Sequence, residues 1–380
     1  MPMASLGVYI HIPFCKRKCD YCDFYSICGY DDKLMARYLS ALTEQIDEYF
    51  RYNHPPVDTI YIGGGTPSVF GGKRIEKLLK HLRSRVQLDK YPEITVEVNP
   101  ESVDEKLLKQ LRLAGVNRIS MGIQSADNDQ LAAIGRLHTF EGACGAYRLA
   151  SKYFDNISVD LIYALEGQSV ESWMDSLEKV VALKPAHISC YCLKVEEGTP
   201  LARRGCEQPP EDIQVEMYLK AIDRLAECGY KQYEISNFAR DGKISRHNSK
   251  YWDLTEYLGL GCAAHSFYGG QRFSFIADVN KFIDGVFGKK PIAEDVDELA
   301  YINHSGEYVM LKLRTCEGID PDLFEHRFQT SFAPYEKLLQ KYIDGGFAKK
   351  EMGRYSLTSK GFLVSNMIIG DLVNSVCPAE

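Results

Sequence analysis

The sequence predicts an α/β fold of parallel βα units, curved into a barrel or part of one, with a smaller helical domain after it. Three observations carry this. Short β-branched runs recur through the first 236 residues, a stretch of helical spacing separates each run from the next, and the chemically active residue types fall where the runs end. Strands that alternate with amphipathic helices pair in parallel, because the helix is the crossover that returns the chain.

Val8–Ile12 opens the series, and Leu34–Phe50 follows with helical spacing. Thr59–Ile62 runs into a glycine cluster, and Arg74–Val86 has helical spacing. Ile94–Val98 precedes Asp104–Leu113, Arg118–Ile123 precedes Glu141–Tyr153, and Ser158–Ile162 precedes Val170–Leu183. His187–Leu193, Ile213–Cys228 and a seventh strand at Tyr230–Ile235 complete the core domain, residues 1–236. The alternation then stops. Residues 237–290, rich in glycine and aromatic rings, read as a loop-rich extension packed on the barrel, and the polar, acidic stretch Lys289–Glu298 reads as a linker. Residues 291–380 read as an accessory domain, with helices at Tyr308–Arg314, Pro321–Phe328, Tyr335–Tyr342 and Gly361–Leu372. A turn at Gly345–Phe347 and a short hairpin around Arg354–Thr358 give it a winged-helix-like pattern.

The chain has 45 Lys and Arg against 52 Asp and Glu, a formal charge of −7, which argues against nucleic acid as a partner because phosphate-tracking proteins carry a basic excess. The N-terminal residues lack a basic region followed by an apolar core, and no apolar run is long enough for a membrane span, so a cytoplasmic location is expected. Twelve cysteines in 380 residues fall far below the roughly 8–10% of a disulfide scaffold. In a cytosolic chain such thiols point to metal binding or reactivity.

Three of them are patterned. Cys15, Cys19 and Cys22 sit at spacings of four and three in a loop directly after the first strand. Thiolates suit iron–sulfur clusters, Cu(I) or zinc, and three of them on a four-iron cube leave one iron open to a small molecule. Zinc, with His11 or Cys28 as fourth ligand, is the structural alternative, although no second CxxC-type turn is present to complete it. Cys190 and Cys192 share one face of a strand and read as core residues, while Cys144, Cys206, Cys228, Cys316 and Cys377 show no metal-like spacing.

Tyr9-Ile-His-Ile-Pro-Phe-Cys15-x3-Cys19-x-Tyr-Cys22 resembles the signature of the radical SAM superfamily, and within it the branch of the oxygen-independent coproporphyrinogen III oxidases (HemN) and the heme chaperones (HemW). The resemblance covers nearly the whole chain and implies a partial (βα)6 barrel. It also implies a [4Fe–4S] cluster on Cys15, Cys19 and Cys22, with S-adenosylmethionine chelating the open iron. Gly64, Gly65 and Thr66 match the family's hold on the methionyl end of that ligand. Glu97, Gln124, Arg136 and Asp160 match its polar contacts, and Tyr9 and the backbone at Tyr21 match its adenosine side. Taken singly, each has a structural reading: a tight turn for the glycines, a helix cap for Glu97, loop backbone for Gln124, surface acids for Arg136 and loop anchoring for Asp160.

Two features separate the branch members. The oxidases resemble CxxxCxxCxC, whereas Phe24 stands here at the last cysteine position, and the short segment ahead of Cys15 departs from them as well. His247-Asn248-Ser249-Lys250-Tyr251-Trp252 resembles the HNxxYW motif of the heme chaperones. The resemblance thus implies heme as a further ligand, with His247, Tyr251, Trp252 and His265 as candidates and Cys262 as a possible thiol anchor. The structural alternative is a hydrogen-bonded loop histidine beside core aromatics. The implied function is heme delivery to respiratory or other hemoproteins, with an electron donor for the cluster. The alternatives are coproporphyrinogen III dehydrogenase activity and a zinc-stabilised binding module. No catalytic residue is assigned.

Overall fold

The computed structural model of the chain describes residues 5–297 and 301–376. Six parallel strands stand in chain order across the middle of one sheet: β1 (Leu6–Ile12), β2 (Pro56–Gly64), β3 (Gln87–Val98), β4 (Arg118–Gln124), β5 (Ile157–Tyr163) and β6 (His187–Cys192). Helices Asp32–Tyr49, Gly72–Arg83, Glu105–Leu113, Phe140–Ala150 and Val170–Val181 make the crossovers. Side chains of Asp31, Asp104, Thr139 and Ser169 accept the first free N–H groups of four of them, the usual solution for a helix start. Ile75, Leu78, Leu79 and Leu82 are fully buried, and so are Ile10, Ile60, Ile62, Val96, Ile119, Met121 and Val159 on the strands. That apolar seam between helices and sheet is the main core.

The inner face of the sheet differs. Tyr61, Glu97, Arg118, Ser120, Ser158, Asp160, His187 and Ser189 line a cavity there. A parallel sheet covered on both faces normally carries apolar residues on both, so a polar inner stripe marks a face built for something other than packing.

The barrel does not close. β7 (Lys231–Gln232) and β8 (Asn237–Ala239) end the sheet beside β6, with both of their pairings antiparallel. The expected seventh strand over Tyr230–Ile235 is therefore only two residues long. Its backbone leaves the ladder because Tyr233 N–H bonds Asn237 O at 3.1 Å and Ile235 N–H bonds Arg314 O, in the accessory domain, at 2.9 Å.

Residues 237–290 are more ordered than a loop-rich reading allows. β9 (Tyr257–Leu260) adds in parallel to β1, β10 (His265–Tyr268) and β11 (Gln271–Phe275) follow antiparallel, and helices Arg246–Trp252 and Val279–Gly288 pack beside them. Leu-Gly-Leu has little strand propensity, and pairing with the buried β1 supplies the order instead. The expected linker holds another strand, β12 (Ala293–Asp297), whose Glu294 and Asp295 are exposed on a sheet edge, where charge discourages further pairing. Glu298, at the end of that expected linker, lies outside the described residues, as does Cys377.

The accessory domain comprises helices Tyr301–Lys312, Pro321–Phe328 and Ala333–Asp344, the hairpin β13 (Ala348–Glu351) and β14 (Arg354–Leu357), and helices Ser359–Leu363 and Ser365–Val376. Tyr308, Phe324, Phe328, Phe332 and Tyr335 form its aromatic core. Lys312 Nζ, at 2.7 Å from Asp253 Oδ1, and Arg327, donating to the Asp253 and Leu254 carbonyls, tie the domain to the barrel. Among the described residues no helix is long and apolar enough to cross a membrane.

Candidate cofactor site

Loops after the parallel strands surround a cavity of about 430 Å3, the position at which βα folds collect functional groups. The loop after β1 brings Cys15, Cys19 and Cys22 to its wall. That loop is pinned at its base, where Cys15 N–H bonds Ile27 O at 3.0 Å and Ile27 N–H bonds Pro13 O at 2.7 Å. Further along, Asp20 N–H bonds Ile134 O at 3.0 Å, and Leu201 N–H bonds Asp20 O at 2.9 Å. Four backbone bonds hold the three thiols without using their side chains.

Hydrogen-bond donors are aimed at two of the sulfurs. Thr66 Oγ1 donates to Cys15 Sγ at 3.4 Å and accepts from Asn99 Nδ2 at 3.1 Å. Arg136 Nη1 donates to Cys19 Sγ at 3.4 Å, while its Nη2 donates to Asn99 Oδ1 at 2.9 Å and Gly122 O at 2.6 Å. Cys15, Thr66, Asn99, Arg136 and Cys19 thus form one connected chain. Burial pushes the Cys22 thiol up to about 11 and raises that of Cys15. A metal overcomes this penalty by taking the proton's place, and donors to sulfur then stabilise the thiolate. The donor set therefore fits an iron–sulfur cluster.

The glycine segment lies hard against the cysteine loop. Gly65 N–H bonds Ile12 O at 2.9 Å, and a Cβ on Gly65 would stand 3.0 Å from Cys15 Sγ. Gly64 has φ of +115°, and a Cβ there would meet the His11 ring at 2.6 Å. Only bare backbone fits this approach.

Across the cavity, Glu97 accepts from Tyr61 OH at 2.8 Å and from Gly64 N–H at 3.1 Å, and burial raises its carboxyl to about 7. Asp160 receives hydroxyl hydrogen bonds from Ser189 at 2.7 Å, Ser120 at 3.0 Å and Ser158 at 3.5 Å. Gln124 also lines the cavity, at φ 73°, just past a register shift between β4 and β5. A bulge of this kind re-aims a side chain, and a non-glycine residue with positive φ is strain of the sort that collects at ligand sites. Tyr21 lines the wall and rests on a small apolar cluster of Ile134, Ile162, Leu165 and Leu193. Tyr9 is one layer removed: its ring stacks on Tyr61 at 6.2 Å and its hydroxyl meets His11 Nδ1 at 3.1 Å.

Every residue that the sequence assigned to the cluster and the cofactor, Tyr9 excepted, therefore lines one cavity. Two of its residues carry the network without having been given a ligand role: Asn99, which the sequence places at the end of the third strand, bridges Thr66 and Arg136, and Tyr61 orients Glu97. The readable signal was a period-two polar stripe on buried parallel strands, as in Arg118, Ser120 and Gln124 on β4. Of the fourth ligands that the zinc alternative calls on, His11 is buried with Nε2 on Tyr25 O at 2.9 Å and Cys28 is exposed. One zinc needs all of its donors at about 2.0–2.3 Å, whereas thiolates on separate irons of a cube stand farther apart.

The heme candidates do not converge. His247 is fully buried, with Nδ1 against Thr59 Oγ1 at 2.9 Å, Nε2 against Tyr251 OH at 2.9 Å, and its ring stacked on Tyr61 at 5.3 Å. Burial drives its pKa down to about 3. Tyr251 packs edge-on against Tyr257, and Trp252 lines a second cavity, between barrel and accessory domain. Asn248 alone of the motif reaches the cysteine-lined cavity. His265 is exposed at the start of β10, and Cys262 is buried with its thiol 3.5 Å from Tyr38 OH. As folded, these residues do not form one heme site.

A parallel partial barrel with three cysteines on the loop after its first strand defines a radical SAM protein, and residues 9–180 match the Radical SAM superfamily while residues 303–364 match the HemN C-terminal domain. The chain is 36% identical over 95% of its length to the heme chaperone HemW of Lactococcus lactis, covering 96% of that protein, and 33% identical to that of Bacillus subtilis over 96% of this chain and 98% of the relative. It belongs to the HemW family of that superfamily. Its fold also superposes on Escherichia coli coproporphyrinogen III oxidase (HemN), a radical SAM enzyme, with a TM-score of 0.86 over 98% of this chain and 91% of the other. At 24% identity this likeness speaks for the fold alone.

Proposed function

We propose that this chain is a heme-binding chaperone that passes heme to acceptor hemoproteins while carrying a [4Fe–4S] cluster and S-adenosylmethionine in the barrel cavity. The observation that carries the reading is full-length similarity to heme chaperones together with Phe24, 70% exposed, at the position where the oxidases resemble one another in having cysteine. Cys15, Cys19 and Cys22 would hold the cluster, with Thr66 and Arg136 donating to the Cys15 and Cys19 sulfurs. Such a cluster, once reduced, would supply an electron to a sulfonium bound beside it.

The chain's own residues do the rest. Glu97 offers a carboxylate for the ligand's ammonium, Gly64 and Gly65 let it approach the backbone, and Asp160 and Gln124 suit ribose hydroxyls. At the cavity wall Phe24 and Tyr191, 70% and 40% exposed, present ring surface against which a flat apolar ligand can lie.

The test is a hemin titration of anaerobically reconstituted protein. Wild type is expected to develop a Soret band, and His265→Ala and His247→Phe ask which imidazole, if either, supports it. Absence of heme uptake by the intact protein would overturn the chaperone reading, and conversion of coproporphyrinogen III would replace it with the dehydrogenase.

A further inference from the structure

Arg118 opens β4, and its side chain lines the cysteine-containing cavity from inside the barrel. In the strand register it lies opposite Thr95, one inward position before the Ser120–Glu97 pair, so it sits deeper than the cofactor contacts described above. It is 2% exposed, yet its Nε has no hydrogen-bond partner, and no carboxylate among the described residues closes an ion pair with its guanidinium.

The other buried Lys and Arg side chains are all engaged. Arg136 bonds Cys19, Asn99 and Gly122, Lys250 sits 2.8 Å from Asp58, and Lys312 sits 2.7 Å from Asp253. Groups around Arg118 are already committed elsewhere. Asp160 is held by three serines, Glu97 by Tyr61 and Gly64, and His187 by Ser158 at 2.7 Å and Tyr233 at 2.8 Å. A guanidinium withdrawn from water with its Nε unbonded, and with only the through-space attraction of Glu97 and Asp160 to offset that, is costly to the fold, and one that faces a cavity is a ready fork for a planar anion.

We propose that Arg118 anchors a carboxylate subsite in the depth of the barrel, distinct from the residues that would hold the cluster and S-adenosylmethionine. The planar fork and single charge of the guanidinium select the class: a carboxylate matches both, whereas a phosphate dianion would meet twice the repulsion from the neighbouring acids Glu97 and Asp160. A porphyrin propionate and the acid group of a free small molecule share this chemistry. The subsite stands without the heme reading, because its first test needs no heme.

Reconstituted wild type is melted against increasing sodium propionate at constant ionic strength, with sodium chloride as control, beside Arg118→Gln and Arg118→Lys. A saturable rise in melting temperature is expected in wild type, reduced in R118K and lost in R118Q, while R118Q without ligand melts no lower than wild type. Hemin and its dimethyl ester then separate the sources. A hemin affinity that falls roughly tenfold or more in R118Q, with the ester unaffected, places a porphyrin propionate on Arg118, and unchanged hemin affinity with a lost propionate response places a small acid there. A wild type indifferent to propionate, with hemin affinity unchanged in R118Q, overturns the subsite. So does a ligand-free R118Q that melts lower with its propionate response intact, which would make Arg118 a structural counter-charge. A loss confined to S-adenosylmethionine affinity also overturns it, by assigning Arg118 to the cofactor site.

Discussion

The cysteine loop and the HNxxYW helix are the two most distinctive stretches of the chain, and their side chains end in opposite circumstances. The loop is held by its backbone, which leaves three thiols facing a cavity. On the helix, His247 takes Thr59 on one ring nitrogen and Tyr251 on the other, with Tyr61 stacked on its face. A site keeps its functional groups uncommitted and fixes them from behind, whereas a core commits them. By that measure the loop is a site and His247, as folded, is a core residue. Tyr61 touches both regions, since its hydroxyl bonds Glu97 in the cavity while its ring lies on His247.

The largest effects should fall on the loop. Alanine at Cys15, Cys19 or Cys22 is expected to take anaerobically reconstituted protein from roughly four irons per chain to near none, measured by iron and acid-labile sulfide. Thermal stability of the metal-free protein should move little, because the loop's backbone bonds survive. A metal-free variant that melts far below metal-free wild type would show that the thiols also hold the fold.

The helix should behave in the reverse way. His247→Ala removes a buried ring and leaves Thr59 Oγ1 and Tyr251 OH without their partner, so a loss of about 3–5 kcal/mol of unfolding free energy is expected, read by chemical denaturation. Iron content of the folded fraction should be unchanged. The pH dependence has a fixed sign. Burial lowers the folded-state pKa of His247 to about 3 from 6.5, so its contribution is present above about 6.5 and is lost progressively as pH falls towards 3. An acid limb that is identical in wild type and His247→Phe would break this assignment.

Glu97 titrates with the opposite sign. Its carboxyl is raised to about 7, so the protonated form is favoured in the empty cavity, and a ligand ammonium requires the ionised form. S-adenosylmethionine affinity is therefore expected to rise between pH 6 and 8. Glu97→Gln should abolish that rise and weaken binding roughly tenfold at pH 8, as measured by calorimetry on the reconstituted protein.

The fold was largely readable because each parallel strand has a β-branched run and each crossover an apolar helical stripe. The cysteine loop was legible because its spacing is a local pattern that backbone geometry turns directly into position, whereas the glycine run and Glu97, Gln124, Arg136 and Asp160 were named only through the resemblance to a family. What escaped was set by tertiary context. β9, with Leu-Gly-Leu, is a strand only because β1 lies beside it, and β12 is acidic because it is an exposed edge. The spacing of His247, Tyr251 and Trp252 says nothing about which partners their polar atoms find, and those partners come from β2 and from the helix itself. Arg118 was hidden for a different reason: a polar residue at the start of an alternating strand looks like a solvent-facing one until the sheet curves around it.

The finest division between the two regions runs through Tyr61. Tyr61→Phe keeps the ring on His247 and deletes only the hydroxyl that donates to Glu97. The hydrogen bond favours the charged carboxylate and so lowers the Glu97 pKa, which means its loss should move the midpoint of S-adenosylmethionine affinity to higher pH. Unfolding free energy should change by about 1 kcal/mol, the usual worth of one hydrogen bond, and the acid limb set by His247 should stay where it is. If the cavity and the helix are physically separate devices that share one ring, this variant perturbs the first and spares the second. A stability loss as large as that of His247→Ala would instead mean that the hydroxyl is what locks the ring over His247, and that the helix senses the state of the cavity.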